Sequence, residues 1–418
     1  MLEGWQNMEL KTSENLNTNN KQDFSEKLFQ RMQQVNPGIS NLELFEFCYA
    51  LENLIPKEGW NSVQLQSVCE IEEKINARKF YESIQLRPKI EGKLIFDGQL
   101  TQLTQMLFSG IVENVYSIDW INQNFYFDMR AFYFFHRTKY YNEKIIKHLG
   151  EYPYRTFERE QYKLKPKFDI GYQAFRQANE RVDLCLIDLL FKLISTGQRP
   201  CIIGIAGQTA AGKTEIVARL QKEFINQNLS FTSLEMDHFL TDRDDREERG
   251  IDSLGKEAMH FELFKHSLNQ LHNGHDISTP IYDFISATSS HSTDGKLKPG
   301  HTTGEVHAAD MIFVEGNFPF LYDEIAELID IKVVYITDDE IRLKRKWKRD
   351  MDLRKKYDLH YFINRYFREQ FLMAESAYIP QMEKCDVLVD TTEASIWVNT
   401  KISKNLDTQD LFVSTSNS

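Results

Sequence analysis

Residues Ile205–Thr214 read IAGQTAAGKT, a glycine, four small or polar residues, then glycine, lysine and a hydroxyl. The apolar run CIIGIA precedes them and the helical pattern EIVARLQKEF follows. A buried strand, a tight glycine turn and a helix in that order are the start of a βαβ unit, which confines this part of the chain to α/β folds with a largely parallel sheet. Further apolar runs at LSFTSLEMD, MIFVEG, IKVVYITD and CDVLVD supply the other strands. Helical patterns at 258–273, 319–329 and 338–376 separate or follow them.

The turn has its own chemistry. Gly207, Gln208, Thr209, Ala210, Ala211, Gly212, Lys213 and Thr214 fit G-x-x-x-x-G-K-[ST]. The glycines let successive backbone N–H groups face inward, and the helix that follows adds the positive end of its dipole. Lys213 is placed to reach the outer phosphates of a nucleotide, and the Thr214 hydroxyl to hold Mg²⁺. The pattern implies ATP or GTP as ligand. Acids stand at three strand ends: Asp237, Glu315, and the run Asp338-Asp339-Glu340. That run resembles the magnesium motif of hydrolytic ATPases. It also leads straight into the helix IRLKRKWKRD, where Thr337 or Asp338 serves more simply as an N-cap. In that helix Arg345, Lys346, Arg349 and the nearby Arg354 form a basic face, readable as solvated surface, a nucleic-acid patch or a lid over the triphosphate.

Length and charge bound the rest. A chain of 418 residues has room for two or three domains. Its net charge of −12 argues against nucleic acid as a main partner. The five cysteines are scattered without a C-x-x-C pair, which predicts a reducing, cytoplasmic setting and no structural zinc. No apolar leader and no membrane span are expected. Residues 1–22 read as a disordered tail, 23–170 as a mostly helical, aromatic-rich domain, 171–198 as a bridging helix, 199–395 as the P-loop domain and 396–418 as a second tail. Within the first domain, Ser40 is expected to cap a helix with Glu43 three residues on, and another helix is expected over 63–83. The dense aromatics between Ile111 and Tyr154 read as core or docking face rather than a stacking surface. This half carries no catalytic motif; it is the candidate for self-association or a protein partner. His260, His266, His272 and His275 read as helix-surface residues rather than a metal site. His291, His301 and His307 lie in a polar loop.

Taken in order, IIGIAGQTAAGKT, MDHFL, EAMHFELFKHSLNQLHNGHDISTPIYDF, IFVEGNFPFLYDE, RLKRKWKRDMDLR and YIPQMEKCDVLVD resemble the uridine kinase/phosphoribulokinase family, which also includes type I pantothenate kinases. The resemblance covers residues 199 to about 390 and leaves the first 195 aside. It implies a doubly wound P-loop fold and transfer of a γ-phosphoryl group to a small-molecule alcohol. On that basis Asp237 matches the base that deprotonates the acceptor, and Glu315 the acid near magnesium and acceptor. Lys213 and Arg349 would act in transfer, Arg345 and Arg354 on the nucleotide, and Tyr282 and Phe284 would line the acceptor pocket. The match departs from uridine kinases where bases and ribose are read. Ala287 stands where they carry histidine and Leu254 where they carry an acid, and Lys346 and Lys356 replace lid arginines. Uridine is therefore an unexpected acceptor.

Overall fold

The computed structural model describes residues 18–77, 80, 84, 87–90, 93–95, 97–129, 132–157, 179–194, 199–251, 255–339, 341–342, 345–346, 349, 370–404 and 406. The chain divides into two compact units, Met1–Arg137 and Thr138–Ser418.

The first unit is built on helices α1 (Thr18–Val35), α2 (Leu44–Leu51), α3 (Val68–Asn76), α4 (Gly98–Val112) and α5 (Ile118–Asn124). It also holds two antiparallel hairpins, β1 (Arg87–Ile90) with β2 (Lys93–Ile95), and β3 (Phe125–Asp128) with β4 (Tyr133–His136). The aromatic run makes a core: Phe108, Phe125, Phe127 and Phe134 are buried and meet edge-on or tilted. Two helix starts differ from expectation. Ser40 lies in a 3-10 turn that Asn36 caps, and the box at α2 is made one turn later by Glu43 and Glu46. The helix expected over 63–83 begins only after Ser67, whose hydroxyl and Glu70 form a capping box.

The strands of the second unit are β5 (Arg155–Thr156), β6 (Cys201–Gly207), β7 (Phe231–Glu235), the short β8 (Ile277–Thr279), β9 (Tyr282–Asp283), β10 (Thr288–Ser289) and β11 (Gly304–Val306), then β12 (Met311–Gly316), β13 (Ile331–Ile336), β14 (Val387–Asp390) and β15 (Ser395–Val398). Seven of them form one sheet in the order β5-β15-β14-β13-β6-β12-β7. Five neighbouring strands run parallel: β14 (Val387–Asp390), β13 (Ile331–Ile336), β6 (Cys201–Gly207), β12 (Met311–Gly316) and β7 (Phe231–Glu235). The antiparallel edge is β15 (Ser395–Val398) and β5 (Arg155–Thr156). Alternation along each strand divides the side chains between two cores. Ile203, Ile205, Phe313 and Tyr335 pack with α7 (Glu180–Ile194) and α8 (Lys213–Asn226). Ile202, Ala206, Val314 and Val334 face the core that contains α9 (Phe261–His272) and α6 (Glu143–His148). Both faces are covered, so strands such as CIIGIAG are apolar throughout.

Several expected boundaries shift. The unit begins at residue 138 rather than after 170, because β5 completes the sheet edge and Ile145 and Leu149 are fully buried. The tail expected from 396 is instead strand β15, followed by a helical turn at Thr400–Ser403. Of the bridging helix the described part is α7. The helix expected over 319–329 shrinks to Asp323–Ala326.

Candidate active site

The chain order places β13 on one side of β6 and β12 with β7 on the other. Ligands of such sheets bind beyond the carboxyl ends of the strands where that order reverses, and the glycine turn leaves β6 there. Gly207 is obligatory for packing, since a Cβ on it would lie 2.4 Å from the Tyr335 carbonyl oxygen. Gly212, at φ +106°, sits in the left-handed region and caps α8. Ala210 also has a positive φ, +63°.

The outer side of this turn is tied down. Consecutive carbonyls of Thr209, Ala210 and Ala211 accept hydrogen bonds from Arg342 Nη1 (3.4 Å), Arg345 Nη1 (3.2 Å) and Thr337 Oγ1 (2.9 Å). A peptide is planar and trans, so its N–H points away from its carbonyl. The N–H groups of Ala210 and Gly212 therefore lie on the side away from these contacts, while the Ala211 N–H donates to the Gln208 carbonyl within the turn (3.1 Å). Inside, Lys213 Nζ donates to the carbonyls of Gly207 (2.9 Å) and Gln208 (3.1 Å). Burial pulls the Lys213 ammonium below its ordinary pKa, Glu315 and Asp237 oppose that pull, and Arg349 and Arg342 add to it.

Thr214 Oγ1 donates to Glu315 Oε1 at 3.0 Å. The other carboxylate oxygen of Glu315 is buried and makes no hydrogen bond among the described residues, and neither does the buried amide of Gln208. Burial pushes the Glu315 carboxyl up to about 7; Lys213 and Thr214 draw it down, while Glu235 and Asp237 push it further up. No group of three or more His, Cys, Asp or Glu among the described residues could hold a metal unaided. A magnesium that bridges phosphates takes only one or two protein oxygens, and the Thr214–Glu315 pair with an orphaned carboxylate oxygen fits that role.

Sequence matching covers only this half. The profile of the Phosphoribulokinase / Uridine kinase family matches residues 202–395. A uridine kinase of Lactobacillus helveticus is 31% identical over 195 residues, 46% of this chain and 87% of that protein. One from Leuconostoc citreum is 30% identical over 161 residues, 38% of this chain and 72% of that protein. The chain belongs to the phosphoribulokinase/uridine kinase family. It is a P-loop kinase of that family, with an N-terminal unit outside the match.

Among the residues expected to act, Lys213, Thr214, Glu315, Asp237, Arg345 and Arg349 are brought together around the loop; Arg354 lies outside the described residues, as do Leu254 and Lys356. In the run after β13, Asp339 is buried in an ion pair with Arg342, and Thr337 bonds the P-loop and Thr391. The Asp338 carbonyl accepts the Arg342 amide (3.0 Å), the bond an N-cap residue makes, and Glu340 lies outside the described residues. Phe284 is half-buried with its ring 6.3 Å from that of His238, the neighbour of Asp237. Tyr282 plays a different part from the lining residue expected. Its hydroxyl donates to the Ala287 carbonyl (3.1 Å) and accepts from buried Arg246 (3.1 Å), so it braces the polar layer formed by the Asp242–His291 region, called the wall below.

Sequence reasoning missed the rest of that wall. Asp242 accepts from Lys298 Nζ (2.6 Å) and the Ser289 amide (2.7 Å). His291 pairs with Ser290 Oγ at 2.9 Å, and its ring lies 6.1 Å from that of His260, which is buried rather than on the helix surface. Burial lowers the pKa of both rings, and the neighbouring imidazole lowers that of His260 further. Arg342 was missed too, although it stands one turn before Arg345 and two before Arg349, a spacing that puts all three on one helix face.

Proposed function

We propose that this kinase transfers the γ-phosphoryl group of ATP or GTP, with Mg²⁺, to a hydroxyl of a small molecule. The observation that carries the reading is that Glu315, bonded to Thr214 of the P-loop, is paired in register with Glu235 at the end of β7, and Asp237 stands two residues beyond it. A hydrolase has no need of a second carboxylate at the end of β7, whereas transfer to an alcohol requires a base there. Asp237 takes the acceptor's proton as the acceptor oxygen bonds to the γ-phosphorus. The bond from that phosphorus to the bridging oxygen breaks, and the nucleoside diphosphate leaves with both electrons. Lys213 and Arg349 face the charge that builds up on the transferred oxygens. Thr214 and the Glu315 carboxylate would hold the magnesium, which neutralises the outer phosphates when bound.

The family relatives quoted are uridine kinases, yet the acceptor wall here supports another substrate. Ala287 is buried at φ +59°, and its carbonyl is taken by the Arg243 amide and the Tyr282 hydroxyl. A methyl group there offers nothing to a base edge. An apolar position rejects an added polar group by about 10², so uridine and cytidine are expected to be poorer acceptors by roughly that factor. Assay of uridine, cytidine, pantothenate, glycerate and ribulose 5-phosphate side by side tests this, together with Asp237→Asn. The variant should keep nucleotide binding and lose about 10²–10⁴ in turnover on whichever acceptor works. Nucleotide hydrolysis unaffected by Asp237→Asn, with no acceptor found, would favour a hydrolysing regulatory module instead.

A further inference from the structure

The P-loop is gripped from outside by residues that are themselves gripped. Arg342 is fully buried and makes three kinds of contact: Nη1 to the Thr209 carbonyl, Nε to the Thr337 carbonyl (3.1 Å), and Nη2 to Asp339. Asp339, buried in turn, accepts the Thr138 amide on Oδ2 (3.3 Å) and the Tyr140 hydroxyl on Oδ1 (3.4 Å). Tyr140 is buried, and the Asp339 carboxylate joins burial in pushing its phenol well above the ordinary range. The next residue, Tyr141, donates to Asp390 Oδ2 at 2.8 Å, and Asp390 ends strand β14, next to Thr391, which bonds Thr337. A continuous set of contacts therefore runs from Thr138–Tyr141, through Asp339, Arg342 and Thr337, to the Thr209 and Ala211 carbonyls of the loop.

Thr138, Tyr140 and Tyr141 lie outside the segment that the family profile matches. They are the first residues after the N-terminal unit ends at Arg137. We propose that Thr138, Tyr140 and Asp339 are positioning residues of the nucleotide site, acting through Arg342 on the Thr209–Ala210 peptide directly and on the Ala211–Gly212 peptide by way of Thr337. The strap at the start of the second unit is then a working part of triphosphate binding, and not only a linker. The proposal rests on the reading that the loop binds a nucleoside triphosphate. Its physical basis is preorganisation: a loop whose carbonyls are fixed before the ligand arrives loses less conformational freedom on binding. With a carbonyl released, the peptide plane is free to rotate, and each N–H that leaves the phosphate weakens binding.

The test is calorimetric titration of MgATP into the full-length protein and into Tyr140→Phe, Asp339→Asn and Lys213→Ala. Tyr140→Phe deletes a single hydroxyl and keeps the ring in the core, so it reports even if Asp339→Asn, which strands the buried Arg342 charge, does not fold. The expected results are a Kd for MgATP raised about threefold by Tyr140→Phe and about tenfold by Asp339→Asn, the scale of one weakened and one lost hydrogen bond to a charged group. The KM for the acceptor should stay within about twofold, because the hydrogen bonds of Thr138, Tyr140 and Tyr141 run to Asp339 and Asp390 on the nucleotide side. A purely structural role would lower the melting temperature and leave the Kd of the folded protein unmoved. Wild-type affinity in Tyr140→Phe and in any folded Asp339→Asn, with Lys213→Ala impaired, would overturn this proposal and leave the P-loop reading standing. Wild-type affinity in Lys213→Ala would overturn both.

Discussion

Glu315 shows how one side chain can serve two conflicting demands. Its carboxyl is buried between strands, where the charged form is costly, yet the charged form is the one that can hold magnesium beside Thr214. Unfolded, the acid ionises near 4.5; folded, near 7. Between those values the folded chain binds the extra proton, so stability should fall as pH rises through the window and level off above it. The loss is at most about 3 kcal/mol, from the conversion of a pKa shift into free energy. Metal binding has the opposite slope, because a carboxylate must form first: apparent Mg²⁺ affinity should rise through the same window. Urea melts and Mg²⁺ titrations from about pH 5 to 8 read both slopes. Glu315→Gln should flatten both; a variant that kept either slope would assign it to another group.

At the scale of elements, β15 tests how the sheet edge is built. The sequence reading ends the P-loop domain at 395 and starts a tail at 396, one residue into this strand. The structure inserts it between β14 and β5, with Ile396 fully buried and Val398 nearly so. Ile396→Ala should therefore destabilise the second unit by about 2–5 kcal/mol, the cost of an unfilled core position. A urea melt that moved by less than about 0.5 kcal/mol would fit an exposed tail instead. The contrast with β6 explains what could be read. A central parallel strand is apolar on both faces and stands out, and the glycine turn after it has a fixed chemistry, so Lys213, Thr214, Asp237 and Glu315 are all singled out by local pattern. Edge strands, the buried pair Asp339–Arg342 and the polar wall of Asp242, His260, His291 and Lys298 depend on partners far away in sequence. In the sequence, Asp339 is indistinguishable from a helix-capping or metal-binding acid. Only the placement of Arg342 against Thr209 decides its role.

For the whole molecule, the division at residue 137 rather than 170 changes what can be cut away. The residues between those boundaries carry Tyr140, Ile145 and Leu149, all within the core that also holds Phe264, Met382 and Cys385. They carry β5, which pairs with β15, and His148, whose Nε2 lies 2.6 Å from the Cys385 carbonyl oxygen. Burying each large apolar side chain is worth about 1.5–3 kcal/mol, and a domain's whole stability is only about 5–15 kcal/mol. Losing three such side chains together with an edge strand removes a large part of that margin. A fragment of residues 138–418 is therefore expected to melt cooperatively and to bind MgATP. One of residues 171–418 is expected to lose cooperative melting, or to unfold at much lower denaturant, and to bind nucleotide poorly for the same reason. Thermal and urea melts of the two fragments, read beside MgATP titrations, separate the cases. If 171–418 proved as stable as 138–418, the strap would be an appendage, and the boundary expected from the sequence would be the right one.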